Sequence, residues 1–169
     1  MNRTKGFSLI ELLIVVAIIL IIAAMAIPNL LRARIAANEA SAANSIRKIS
    51  TAEVAYSTTY PTIGYALQLS HLGGTLPCTP AATSACILDS VLSSGTKEGY
   101  QFVAVGVPTG GASTNTTYTA GSAPLSYNVS GVRNFCMITD GVLRSLNPAG
   151  PGTPPANNVA TCQAYPTAQ

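Results

Sequence analysis

Apolar and polar positions change rhythm twice along the chain. From Leu12 to Ile27 sixteen apolar residues follow one another without interruption, and Leu30 and Leu31 extend the run past Pro28 and Asn29. A run with no polar face predicts a helix that enters a bilayer, because a span takes roughly twenty residues across a core about 30 Å thick. Phe7 to Leu31 supplies that length if Ser8, Glu11 and Asn29 are tolerated. Beyond it the pattern stays helical and turns amphipathic: Ile35, Ala42, Ile46, Ile49, Tyr56 and Tyr60 recur at spacings of 7, 4, 3, 7 and 4. One stripe therefore faces a core, and Asn38, Glu39, Arg47 and Lys48 are placed on the opposite side. Tyr60-Pro61 stops the helix, since the residue before proline avoids the helical region. The 53 residues from Phe7 to Thr59 make a rod of roughly 80 Å, bent or broken near Pro28.

After Pro61 the rhythm shortens. Tyr65 to Leu72 reads as a short helix ended by Gly73-Gly74, and Ala85 to Leu92 as another. Tyr100 to Val107, β-branched and aromatic between Gly99 and Pro108, reads as a strand, with Thr116 to Ala120 as an added edge strand. Leu125 to Val129, Val132 to Thr139 and Val142 to Leu146 form a meander whose turns are Ser130-Gly131 and Asp140-Gly141. Asn147 to Gln169, with five prolines, reads as a loop held by Cys162. The expected fold class is α+β: a long amino-terminal helix, partly transmembrane, packed on a small antiparallel sheet.

Composition narrows the setting. Nine Lys and Arg and six Asp and Glu in 169 residues leave the surface to Ser, Thr, Asn and Gly, which suits a secreted surface. The formal charge of +3 includes Arg3 and Lys5, and removal of both leaves +1 on side chains. A nucleic-acid partner is not expected, because phosphate binding takes a basic stripe and Arg32, Arg34, Arg47 and Lys48 are scattered among acids. All four cysteines lie beyond the apolar run, which points to two disulfides in an oxidising compartment. Of the three pairings open, Cys78 with Cys86 and Cys136 with Cys162 is preferred, because each closes a loop within one region. No metal or cofactor is expected: no Cys-x-x-Cys occurs and His71, the single histidine, has no ligand neighbour in sequence. No catalytic constellation is legible either, since Asp89, Glu98, Asp140 and His71 are isolated. The Thr-rich stretch from Thr109 to Ala123 reads as an exposed loop, and Asn115-Thr116-Thr117 and Asn128-Val129-Ser130 match glycosylation acceptors.

Three readings compete for the amino terminus. Ala24-Met25-Ala26 fits a secretory cleavage pattern after a basic start and an apolar run, which would release a soluble binding domain. A permanent anchor is the second reading. Glu11 separates them, since a carboxylate costs about 2.5 to 3.5 kcal/mol at a helix centre in a bilayer and less near its edge. A subunit that meets a neighbour's positive group there recovers that cost: unit charges about 4 Å apart at an effective dielectric near 20 attract by about 4 kcal/mol.

Lys5-Gly6-Phe7-Ser8-Leu9-Ile10-Glu11-Leu12-Leu13-Ile14-Val15 resembles the class III signal of type IV prepilins and pseudopilins. The match is contiguous over residues 5 to 31 and fades by about Tyr60. The resemblance implies cleavage after Gly6 by a membrane-embedded peptidase that also N-methylates Phe7, and it makes Glu11 the acid that meets a neighbouring subunit's terminal amine. Pro28 takes the place of a helix-bending proline. The implied organisation is a leader over 1–6, a membrane and filament-core helix over 7–31, an amphipathic helix over 32–60 and a β-rich head over 61–169 with a carboxy-terminal disulfide loop. The implied partners are the chain itself, as a helical homopolymer, the prepilin peptidase and methyltransferase, the pilus assembly platform and motor complex, and the cytoplasmic membrane before assembly. The main alternative is a minor pilin or a type II secretion pseudopilin. Pseudopilins commonly bind calcium through a carboxy-terminal acidic cluster, and nothing after Asp140 is acidic.

Overall fold

A computed structural model describes residues 7–168; Gly6 and the rest of the expected leader lie outside them. The chain divides into two units, Met1–Arg34 and Ile35–Gln169. Helix α1 spans Leu9–Thr59, with Pro28 inside it, and it is not broken there. In the first unit every large apolar side chain of α1 is exposed.

In the second unit, Ala42, Ile46, Ile49, Ala52 and Tyr56 of α1 are buried against Tyr100, Phe102 and Ala104, together with Tyr118, Ala120, Phe135 and Met137. The stripe read from spacing is thus the core face of the helix, and the fold is α+β. The opposing strands are β1 (Thr96–Lys97), β2 (Tyr100–Val107), β3 (Thr117–Pro124), β4 (Asn134–Ile138) and β5 (Arg144–Leu146). They form one antiparallel sheet in sequence order. Strand β2 occupies the residues predicted for it and alternates buried and half-buried positions, as a strand with one core face should.

Elsewhere the structure departs from the expectations, for local reasons. The supposed edge strand at Thr116–Ala120 is β3, which runs to Pro124 between β2 and β4. Its residues Tyr118 to Ala123 are all buried, so the Thr-rich exposed loop ends before the strand. Leu125 to Val129 is not a strand: Asn128 adopts φ 61° and the Ser130 hydroxyl donates to the Ser126 carbonyl, which closes a turn. The helix expected over Tyr65–Leu72 shrinks to a 3-10 turn at Leu69–Leu72, because Gln68 is extended, with φ −153° and ψ 156°, and the Tyr65 and Ala66 N–H groups are tied to the Asn115 carbonyl and the Glu53 carboxylate. In Ala85–Leu92 the N–H groups of residues 85–88 go to the carbonyls of His71, Gly73 and Leu72, and Cys86 has φ 60°. Helix α2 therefore waits until Ser90–Ser93, capped by Asp89. The carboxy-terminal segment is not all loop, since α3 forms at Val159–Gln163 with Asn158 as its cap. Disulfides join Cys78 to Cys86 and Cys136 to Cys162. The second fastens α3 to β4 over a small core of Ile138, Ala156 and Tyr165.

Glu39 also lies on the other side of α1 from the one expected for it. It is buried rather than on the solvent side, and its carboxylate accepts from the backbone N–H groups of Val132 and Arg133 and from the Arg133 side chain at 2.9, 3.1 and 2.7 Å. Asn38 donates to the Ser130 carbonyl at 3.0 Å. Both side chains fasten the 126–133 turn to α1, while Arg47 and Lys48 are exposed as expected.

Candidate assembly segment

The first residues of α1 combine three features. Phe7 is 77% exposed and precedes the helix. The Ser8 carbonyl accepts from the N–H groups of Glu11 and Leu12, which starts the helical ladder. The Glu11 carboxylate accepts in return from the Ser8 N–H at 3.2 Å. Early N–H groups of a helix have no partner within it, and a carboxylate there both bonds them and meets the positive end of the helix dipole. Ser8-Leu9-Ile10-Glu11 matches the capping-box pattern, and that signal was readable in the sequence. Glu11 therefore has a local role before any neighbour arrives, and its side chain is exposed.

After Glu11 the segment has no charged residue until Arg32. It is long and apolar enough to cross a membrane, and none of its most apolar window is buried. Pro28 has no N–H for the Ala24 carbonyl, and one residue on, the Asn29 side chain donates to the Met25 carbonyl at 3.1 Å. Small side chains at Ala17, Ala23, Ala24, Ala26 and Ala33 let another helix approach closely. Among the described residues no three of His, Cys, Asp and Glu gather to hold a metal ion.

The four cysteines named above lie in the second unit, apart from this segment. Two acids there, Glu53 buried and Asp140 exposed, have partners that the sequence reading did not supply. Glu53 accepts the Ala66 N–H at 2.8 Å, and its other oxygen has no partner. Burial pushes its carboxyl up to about 8, against the pull of that hydrogen bond. Asp140 is not isolated either: it accepts from Arg144 at 2.5 Å and from the Val142 N–H at 2.9 Å. The Arg144 hydrogen bond holds its carboxyl below the usual range.

Fold and segment together define a class: an α+β protein whose long helix opens with an unburied apolar stretch and one acid near its start. The prokaryotic N-terminal methylation motif matches residues 1–27. Over 39 residues the chain is 67% identical to the type IV wide pilus major component PilA4 of Thermus thermophilus, which covers 23% of this chain and 30% of that protein. Over 54 residues it is 43% identical to the type IV major pilin protein PilA of Myxococcus xanthus, covering 32% of this chain and 24% of that protein. The chain thus spans less than a third of the length of either relative. No solved structure matches at a comparable level. The motif and the two relatives bear out the resemblance to the type IV pilin family.

Proposed function

We propose that the chain is the precursor of a structural subunit of an extracellular type IV pilus, inserted in the cytoplasmic membrane, cut between Gly6 and Phe7, N-methylated on Phe7 and assembled by bundling of its helices. One observation carries this reading: the methylation motif over residues 1–27 runs into an apolar helix that the chain itself leaves unburied. An apolar surface of that length needs another apolar medium. Lipid serves the precursor, and the same segments of neighbouring copies serve the filament. Cleavage frees a positive amine at Phe7, four residues before Glu11, and so creates the group that a neighbour's Glu11 meets. The working partners are the prepilin peptidase and methyltransferase, the assembly platform and motor complex, and further copies of the chain.

Mass spectrometry of the mature protein tests this directly. The expected amino terminus is methylated Phe7; a terminus at Ile27 would mean an ordinary signal peptide and a released domain. Dominance of this chain in sheared filaments is expected of a major subunit, whereas a trace amount assigns it to the minor pilins.

A further inference from the structure

We infer that Glu98 of one copy docks into a cationic groove beside Arg47 and Lys48 on the head of a second copy; this builds on the filament reading above. The carboxylate side chains of the second unit point to it. Glu39 is paired with Arg133, Asp140 with Arg144, Glu53 is buried, and Asp89 caps α2. Among the described residues that leaves Glu98 as the exposed acid of the head with neither an ion pair nor a capping role.

Its position is specific. Lys97 of β1 pairs with Tyr100 of β2, so Glu98-Gly99 is a two-residue hairpin turn. Both residues have positive φ, 47° and 77°. Such turns favour Asn-Gly or Asp-Gly, and a glutamate in the left-handed region is strained by its Cβ. Strained residues concentrate where function holds them. Here the strain sets a carboxylate on the tip of a short, rigid hairpin, and Lys97 one residue earlier forms no ion pair with it.

The complementary surface lies on the exposed side of α1. Arg47, Lys48 and Thr51 form one wall of a groove of about 400 Å³, and Ile87 and Leu88 line it with Asp89. Arg47 spends one donor on Asn44 at 3.1 Å, and among the described residues neither it nor Lys48 has an acidic partner. Asp89 is the one acid at the groove, and one of its oxygens is engaged by the Leu92 N–H at 2.9 Å. Two free cations thus outweigh it. On a chain with so few charges, an unpaired acid on a tip and two adjacent cations on a groove are complementary features. Tip and groove are different surfaces, so the contact is heterologous and propagates from copy to copy rather than closing a dimer.

The test is a charge swap read by filament yield in sheared fractions. Glu98→Lys is expected to lower the yield at least tenfold, as is Arg47→Glu combined with Lys48→Glu, and all three changes together are expected to restore it. Undiminished yield in Glu98→Lys overturns the contact, and so does a loss that the triple variant fails to restore. The thermal midpoint of the detergent-extracted subunit shows whether the exposed substitutions leave the head folded. As a second measurement, Lys97→Cys with Thr51→Cys, which spares Glu98, Arg47 and Lys48, is expected to give a ladder of cross-linked multimers in filaments, since every native cysteine is already in a disulfide. Filaments of that variant without a ladder overturn the docking. A wild-type chain that never enters filaments overturns the filament reading itself, a different result from a swap that fails.

Discussion

Glu53 shows how much a single side chain depends on the fold around it. With one oxygen bonded to Ala66 N–H and the other unpartnered in the core, its charged form is poorly solvated, and the folded head holds its proton up to a pH of about 8. In the unfolded chain the same group ionises near its ordinary value of 4.5. Between these values the folded state binds more protons than the unfolded state, so stability falls as pH rises through that window and levels off above it. The loss attached to this group is of the order of 5 kcal/mol. Urea denaturation from pH 5 to 8.5 should show that decline in the wild type and a much flatter profile in Glu53→Gln; equal slopes would mean that Glu53 is ionised in the folded head. The burial was legible in part. The apolar stripe left gaps of seven residues between Ile35 and Ala42 and between Ile49 and Tyr56. Glu39 and Glu53 fill those gaps at helical spacing, on the buried face. Assigning Glu39 by charge to the solvent side set residue type above period, and the period was the better guide.

At the scale of elements, the same contest decides which strands could be read. β2 announces itself because one face is buried and the other only half so, which writes an alternating pattern into the sequence. β3 lies between β2 and β4 with six consecutive buried residues, so no alternation marks it, and small residues such as Ala120, Gly121 and Ala123 do not look like strand formers. The reason for the glycine is visible only in three dimensions. A Cβ on Gly121 would lie 2.0 Å from the Ala156 carbonyl oxygen, in the segment that the Cys136–Cys162 bridge brings onto the sheet. Backbone occupies that space on one side and β2 and β4 flank the strand on the others, so Gly121→Ala should destabilise the head by about 3 kcal/mol. A midpoint of denaturation within error of the wild type would show that the 153–156 segment yields easily. Turns were legible where their chemistry is local, as at Asp140-Gly141. They were misread where a distant partner decides, as at Ser130, whose carbonyl is held by Asn38.

For the whole molecule the proposed assembly turns on Glu11, the most legible part of the candidate site because its signal is contiguous: a glycine, a phenylalanine and a glutamate at fixed spacing ahead of an apolar run. What the sequence reading missed is that Glu11 also serves its own helix by accepting the Ser8 N–H. Two explanations for an acid in an apolar segment therefore stand side by side, local capping and pairing with a neighbour's amine, and two substitutions separate them. Glu11→Ala removes both. Glu11→Gln keeps an oxygen that can accept from Ser8 and removes only the charge. Neither should impair insertion, since a carboxylate costs up to about 3 kcal/mol in a bilayer and both variants are spared it. If charge pairing drives assembly, both variants accumulate in the membrane fraction and both lose filaments, by at least tenfold for a contact worth more than about 1.4 kcal/mol. If capping alone matters, Glu11→Gln makes filaments at the wild-type level and only Glu11→Ala fails. Quantifying membrane-retained and sheared protein in parallel reads both outcomes at once, because a subunit that inserts normally yet does not leave the membrane has lost an assembly contact, whereas one that fails to accumulate has lost its fold.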